Sequence, residues 1–154
     1  MVLAVHAGHI SQRELKQGNV DTTVQEKNIT HPTDSKLMYK AIGKLGRAAK
    51  DRGIVLRQSY VHVGRKAAIK ASRYAHGKQF KRMRRQIRKL RTYTGRMIRD
   101  IQRKATEKDE SLTRLLDLCQ RLVDQRPGDS NKLYSLHEPE VRCISKGKAH
   151  KRYE

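Results

Sequence analysis

The residues of this sequence most able to do chemistry form a basic block between Lys36 and Lys104. The block holds 23 Lys or Arg residues against two acids, Asp51 and Asp100, and its net charge of +21 equals that of the whole 154-residue chain. Lysine and arginine side chains bind phosphate oxygens, and such a basic excess is the electrostatic signature of nucleic-acid binders. The block therefore predicts a phosphate-contacting surface.

The most crowded part of the block is a run of paired cations, Lys81-Arg82, Arg84-Arg85 and Arg88-Lys89. On a helix these pairs surround most of the circumference, a spacing that suits successive phosphates rather than base edges. We therefore expect binding that weakens steeply with salt and selects sequence weakly. The candidate phosphate contacts are Arg82, Arg85, Lys89 and Arg96.

Two other interpretations of the charge stay open. The cations could simply solvate an exposed helix, but acids at helical spacing would then be expected as partners, and they are missing. A basic amphipathic helix could also bind acidic lipid or a calmodulin-like acidic protein. Such uses normally employ large aromatic anchors, which are scarce here, because aromatic residues make up 5% of the chain and tryptophan is absent.

Several smaller patterns carry no assignment. His62-Val-Gly-Arg65 matches the short His-x-x-Arg box of tyrosine recombinases, but the rest of that constellation is not evident. His6 and His9 have helical spacing for zinc and no companion ligands. Cys119 and Cys143 fit neither a disulfide framework nor a paired metal knuckle. Phosphate-binding and dinucleotide-binding glycine loops and a Gly-x-Ser-x-Gly elbow are absent, so nucleotide-driven or acyl-transfer chemistry is unsupported.

The elements that must position the cations are three predicted helices, at about 34–52, 65–105 and 111–124. Thr33 or Asp34 is a suitable cap for the first helix, and Gly53 is a suitable left-handed stop. The second helix carries a seam of apolar spacing, and the third has an apolar side that could fold back onto it. The seam consists of Phe80, Met83, Ile87, Leu90, Thr94, Met97 and Ile101.

Short strands are predicted near both ends, at Gly18 to Val24, Lys132 to Leu136 and Val141 to Ser145. The expected fold is mostly α with short β-strands at both ends. We divide the chain into a segment 1–30, a basic helical insertion 31–126, and a segment 127–154 with short strands and a basic tail. Because aromatic residues are scarce, any core must be aliphatic and thin, and we expect marginal stability.

Three stretches together resemble insertion-sequence transposases of the Asp-Asp-Glu class, whose catalytic domain is RNase-H-like. They are Val20-Asp21-Thr22-Thr23-Val24-Gln25 with Pro32-Thr33-Asp34, Tyr74-Ala75-His76-Gly77-Lys78-Gln79-Phe80-Lys81-Arg82-Met83-Arg84-Arg85, and Leu133-Tyr134-Ser135-Leu136-His137-Glu138-Pro139-Glu140 with Ile144-Ser145-Lys146-Gly147-Lys148-Ala149-His150-Lys151. The similarity covers nearly everything from Asn19 onward. It implies an incomplete RNase-H-like α/β fold that is interrupted by the helical insertion.

The resemblance also implies roles for individual residues. Asp21 takes the place of the first catalytic acid and would be a ligand of Mg²⁺ or Mn²⁺, since two such ions serve DNA cleavage and strand transfer in these enzymes. Lys146, Lys148 and Lys151 could contact DNA beside that site. The second Asp and the Glu would lie beyond Glu154, so we expect a truncated, inactive form that binds duplex DNA without cutting it.

Partners and location follow from the same reasoning. Besides duplex DNA, a full-length transposase or a separately encoded second half could pair with this chain. The alternative function is that of a small basic RNA- or ribosome-binding protein, which would need a self-sufficient fold and would prefer RNA. No segment approaches the roughly 20 apolar residues of a membrane span, and Val2 to Ala7 is too short for a signal-peptide core, so we expect a cytoplasmic protein without membrane contacts.

Overall fold

The computed structural model describes residues 33–106 and 109–142, and this part of the chain is built from four helices. The predicted mostly-α character is confirmed, and no β-strand occurs among the described residues. The predicted strand Gly18 to Val24 lies outside the described residues. The helices are α1 (Asp34–Asp51), α2 (Val61–His76), α3 (Phe80–Lys104) and α4 (Glu110–Asp124).

Helix α1 forms as its sequence predicts. Thr33 is the N-cap, with extended backbone, and its side chain accepts a hydrogen bond from the Lys36 amide at 3.4 Å. Gly53 has a φ of +65°, the left-handed conformation that glycine adopts without steric cost, and it follows the last helical turn. The apolar stripe of α1 is buried along its whole length: Leu37, Met38, Ala41, Ile42, Leu45, Ala48 and Ala49.

The predicted single helix 65–105 is wrong, because two helices, α2 and α3, occupy this stretch. The chain breaks at Gly77-Lys78-Gln79, where Lys78 has a left-handed φ of 54°. The amides of Lys78 and Gln79 donate to carbonyls of α2, so the turn satisfies its own backbone groups. A turn this short between two helices makes an antiparallel hairpin.

Three pairs of neighbouring residues show the register of this hairpin. Tyr60 stacks on Tyr93, a Cβ placed on Gly64 would lie 3.8 Å from Leu90, and the Arg82 guanidinium lies over the ring of Tyr74. In each pair the midpoint of the two residue numbers is close to 77, as expected for two antiparallel helices that are joined by a turn at that residue. Gly64, Ala67 and Ala71 are the buried residues of α2, and small side chains at this spacing let the two helix axes approach closely.

Helix α4 folds back on the C-terminal half of α3, as the apolar seam predicted. Asp109 caps α4 by accepting from the Leu112 amide at 2.6 Å. The shared core is aliphatic, with no aromatic side chain among its buried residues, which confirms that part of the prediction for the described chain. Its largest fully buried side chains include Met38, Ile42, Leu45, Leu90, Met97, Ile98, Ile101, Leu112 and Leu122.

The segment after α4 packs against the bundle as irregular backbone, so the predicted strand Lys132 to Leu136 is wrong. Leu133 and Leu136 are buried in the core. Side chains replace the strand hydrogen bonds, because the Leu133 amide donates to the Gln125 side chain at 3.0 Å and Lys44 donates to the Leu136 carbonyl at 3.2 Å. The predicted strand Val141 to Ser145 has only its first two residues described, and neither is in a strand.

Asp100 ties the link between α1 and α2 to α3. Its side chain accepts a hydrogen bond from the Arg57 amide at 2.8 Å and lies 3.2 Å from Lys104, whose ammonium also donates to the Val55 carbonyl at 2.7 Å. The Arg57 amide, followed by Lys104 and Arg103, holds the pKa of Asp100 below its ordinary value against the opposing effect of burial. One of the two acids of the basic block is therefore structural.

Candidate nucleic-acid interface

The α2–α3 hairpin extends past the core that α1 and α4 cover. Its basal part is packed, because Gly64, Ala67 and Ala71 on α2 and all buried positions of α3 from Leu90 onward lie there. From residue 72 to residue 89 no side chain is buried. We call residues 72–89 the hairpin tip; Tyr74, Met83, Gln86 and Ile87 are half-buried there, and its other side chains are exposed.

Composition makes the hairpin tip strongly cationic. Its 18 residues include eight Lys or Arg and no Asp or Glu. Among the residues that the structure describes, ion pairs join Arg52 to Asp109 and Asp100 to Arg103 and Lys104, and none involves the tip. The tip charges are therefore available to an external polyanion, which would relieve their mutual repulsion. They are Arg73, Lys78, Lys81, Arg82, Arg84, Arg85, Arg88 and Lys89.

The four candidate contacts predicted on α3 share one side of that helix. At about 100° per residue, Arg82, Arg85, Lys89 and Arg96 fall within an arc of about 60°. All four are exposed, and the arc lies away from the buried stripe of Leu90, Thr94, Met97 and Ile101. From Arg82 to Arg96 the helix rises about 21 Å, a length that corresponds to about six base pairs of B-DNA.

Two of these candidates have intramolecular partners that orient them. Arg82 donates to the Gln79 side chain at 3.0 Å, and its guanidinium lies 5.9 Å from the centre of the Tyr74 ring. Arg96 donates to the Tyr60 hydroxyl at 3.4 Å. Because neither partner carries a charge, both arginines keep a full positive charge toward solvent. Arg85 and Lys89 lie between them along the same stripe.

The sequence-based selection missed the contribution of α2. Arg65, Lys66, Lys70 and Arg73 are all exposed, and they lie around the sides of the helix that Gly64, Ala67 and Ala71 leave open to solvent. Without the break at residue 77 these cations would belong to the same rod as Arg82. The hairpin instead places them on a second, antiparallel helix, so the basic surface has two rows. The glycine at position 77 was the signal that could have indicated this.

The remaining predicted site residues lie outside the described residues. These are Asp21 and the basic tail with Lys146, Lys148 and Lys151. The described residues contain no group of three or more His, Cys, Asp or Glu side chains placed to share a metal ion. Asp21, the predicted ligand of Mg²⁺ or Mn²⁺, lies outside the part of the chain that the structure describes. Within the described part of the chain, no helix is both long enough and apolar enough to cross a bilayer.

The titratable groups that the structure does bury have structural roles. Cys119 is fully buried in the core, and burial raises the pKa of its thiol to about 12, so it is a poor nucleophile or metal ligand at neutral pH. His62 and Arg65, the two ends of the recombinase-like box, are exposed on the first turns of α2. The hairpin tip is thus the described feature with the most evident capacity to bind a ligand.

Comparison with known proteins identifies a relative without an assigned activity. No protein-family profile matches the chain, and no solved structure matches it. The chain is similar to a Rhizobium meliloti protein. Over 77 residues, half of this chain, it is 52% identical to that protein, which is named Uncharacterized protein ORF8 in nfe locus. The match covers 37% of the relative, so the chain spans well under half of that protein's length.

Proposed function

We propose that this chain is the DNA-contacting portion of an insertion-sequence transposase, and that the α2–α3 hairpin holds the phosphate backbone of duplex DNA. The observation that carries the proposal is the hairpin tip, with eight cations, no acid and no buried residue in 18 positions. A helix that served only as a solvated surface would gain stability from acids three or four residues from its cations. None is present between Asp51 and Asp100.

The geometry favours backbone contact over base reading. Arg82, Arg85, Lys89 and Arg96 span about six base pairs along one stripe, which matches a run of phosphates. Base-specific readout depends on a few side chains held in a groove at fixed geometry. On the hairpin tip, long flexible cations predominate, so register on DNA would come from charge and shape. Such contacts position a protein on the duplex and carry little sequence information.

The resemblance to Asp-Asp-Glu transposases indicates a role for this DNA binding. In such an enzyme a basic helical insertion would hold DNA near the carboxylates, and Asp21 would be the first of them. These 154 residues contain one acid in the matching context, so we expect DNA binding without cleavage unless the other two acids are supplied. A full-length transposase or a separately encoded second half would supply them. Metal-dependent nicking by this chain, abolished by Asp21→Ala, would contradict this part of the proposal.

The salt dependence of duplex binding tests the proposal. Fluorescence anisotropy with a labelled 20-base-pair duplex should show affinity falling by about 0.9 log units per phosphate contact for each log unit of salt. With four contacts from α3 alone, the slope should be about −3.6 or steeper. Affinity should change little between unrelated sequences. A slope near −1, or no binding at low salt, would contradict the proposal.

RNA or ribosome binding is the second candidate, and one observation supports it. The four helices share one hydrophobic core among the described residues, and a shared core supports the self-sufficient fold that this alternative requires. Competition separates the two proposals. Unlabelled duplex RNA of the same length should displace the labelled DNA less effectively than unlabelled duplex DNA if the transposase proposal holds. A strong preference for RNA would favour the alternative.

A further inference from the structure

Phe80 stands out on the hairpin tip as an exposed apolar ring. It is the single phenylalanine of the chain and the first residue of α3, and 51% of its surface is exposed. Burying an aromatic side chain normally contributes strongly to a core that is short of aromatic residues. In this chain the core is aliphatic, and the phenylalanine lies where the hairpin turns.

The surroundings of Phe80 indicate the chemistry of its partner. Lys78, Lys81 and Arg82 are exposed beside it in sequence, and the face of the nearby Tyr74 ring is already covered by the Arg82 guanidinium. A partner for this site must therefore offer an apolar, planar surface with negative charge on either side of it. A nucleobase between two phosphates has this arrangement.

A membrane surface fits the same residues less well. Interfacial helices bury a broad apolar face, whereas the exposed side of α3 from Lys81 to Lys89 carries only cations and no large apolar residue. The other exposed large apolar residues of the α2–α3 hairpin lie on α2 and are Val61, Val63 and Ile69. A single ring at the end of a cationic rod resembles the apolar wedges with which DNA-binding proteins unstack a base step.

We propose that Phe80 inserts into the base stack of DNA held by the hairpin cations, and that the chain therefore binds distorted duplexes more tightly than regular ones. This inference rests on the proposed function, since the cations must hold the backbone before the ring can reach the bases. Unstacking costs free energy, and a bulge or mismatch has already met part of that cost. The partner is thus duplex DNA with a locally unpaired base.

The absence of tryptophan from the chain allows a direct test. Phe80→Trp would introduce a single tryptophan at the wedge, and Ile69→Trp is a matched control because Ile69 is 44% exposed on the neighbouring helix. Each variant is mixed with a 20-base-pair duplex that contains a two-nucleotide bulge and with the same duplex without it. Stacking on bases should quench the emission of Phe80→Trp more strongly with the bulged duplex, while Ile69→Trp should respond equally to both.

Binding by the alanine variant supplies the second measurement. The native chain should prefer the bulged duplex by about fivefold or more, since about fivefold is the lower end of what stacking of a base on an aromatic ring contributes. Phe80→Ala should lose this preference, so that its affinities for the bulged and the regular duplex agree within about twofold. Circular dichroism confirms that the variant remains helical, and if it does not, the tryptophan measurement alone decides.

The outcomes separate the wedge from the proposed function. If the native chain binds both duplexes equally, or if Phe80→Trp emission responds no more to the bulge than Ile69→Trp emission, the wedge is overturned and DNA binding stands. If the native chain binds neither duplex at low salt, the proposed function and the wedge are overturned together.

Discussion

Tyr60 and Tyr93 stack at the base of the hairpin, with ring centroids 4.8 Å apart and planes 15° from parallel. Tyr60 precedes α2 in a left-handed conformation, with a φ of 54° that is uncommon for a residue other than glycine. The stack therefore joins the start of α2 to the middle of α3 within the packed base of the hairpin. The register of the cations on the two helices depends on it.

The coupling between these rings should be measurable in a double-mutant cycle. We expect Tyr60→Ala and Tyr93→Ala to destabilise the fold by amounts that are not additive, with a coupling of about 0.5–1.5 kcal/mol from the aromatic pair. Urea denaturation of the two single variants and the double variant gives the value. Thr92→Ala is a suitable control because Thr92 is exposed one position away. Additive effects would show that the rings merely lie side by side.

Asp100 should make the fold sensitive to acid. Its pKa is lowered by the Arg57 amide and by Lys104 and Arg103, so its stabilising contribution is complete above the unfolded pKa near 3.8 and is lost as pH falls through the lower folded value. Asp100→Asn should cost about 1–3 kcal/mol at pH 7, because the Arg57 amide and the Lys104 ammonium lose a charged acceptor. Thermal denaturation between pH 2 and pH 7 measures both effects.

The control for that experiment is Asp117→Asn, which removes an exposed carboxylate from α4. It should leave the stability at pH 7 nearly unchanged. If both variants lost stability equally, the link from Arg57 to α3 would not depend on the Asp100 hydrogen bond.

Two glycines should respond to substitution with opposite signs. A Cβ on Gly64 would lie 3.1 Å from the buried Ile42 side chain, so Gly64→Val should overpack the meeting point of α1, α2 and α3 at a cost of about 1–3 kcal/mol. A Cβ on Gly43 of α1 would meet nothing within 4 Å, so Gly43→Ala should stabilise by up to about 1 kcal/mol through helix propensity. Urea midpoints measure both, and a stabilising Gly64→Val would contradict the close approach of these helices.

Cys119 should react with thiol reagents only when the bundle opens. Its side chain is buried, and burial raises the pKa of the thiol to about 12, so almost no thiolate exists at pH 8. In a Cys143→Ser background, labelling by a chromogenic disulfide reagent should be slow in buffer and fast in denaturing urea. Fast labelling of the folded chain would place Cys119 at the surface and contradict the packing of α4.

The sequence predicted the helices whose signals are local. Helix α1 was expected at 34–52 and runs from Asp34 to Asp51, because Thr33, the apolar stripe and Gly53 all agree. Helix α4 was expected at 111–124 and runs from Glu110 to Asp124. In both helices the cap, the amphipathic spacing and the stop lie within one short window, which is where local patterns are reliable.

The hairpin turn could not be predicted in the same way. The apolar seam from Phe80 to Ile101 continues the spacing of α2 closely enough to suggest one rod, and the left-handed residue at the turn is Lys78, a type with no preference for that conformation. The free-energy cost of the left-handed conformation of Lys78 is offset by the packing of α2 along α3. The strand predicted at 132–136 is wrong for a related reason. The side chains of Gln125 and of Lys44, which is far away in sequence, satisfy the backbone of this segment in place of a neighbouring strand.

For the site, the sequence predicted the stripe Arg82, Arg85, Lys89 and Arg96 on α3 as phosphate contacts, and these residues are exposed together. That they bind DNA stays a prediction. The row of cations on α2 and the exposed position of Phe80 both depend on the hairpin turn. Because the turn was not predicted from the sequence, neither were they. The roles of Asp21 and of the Lys146, Lys148 and Lys151 tail lie outside the described residues and stay predictions.

The most direct test of the central claim compares two triple variants of equal charge. Arg82→Gln, Arg85→Gln and Lys89→Gln remove three cations from the hairpin stripe, whereas Lys36→Gln, Arg47→Gln and Lys50→Gln remove three exposed cations from α1. Both variants lower the formal net charge from +21 to +18. Anisotropy titrations with one 20-base-pair duplex at several salt concentrations measure the affinity and the salt slope of each. If the hairpin holds DNA, its variant should lose about 2.7 units of slope and at least tenfold in affinity at 100 mM salt, while the α1 variant should stay close to the native chain. Equal losses in the two variants would show that overall charge, and not the hairpin, accounts for binding.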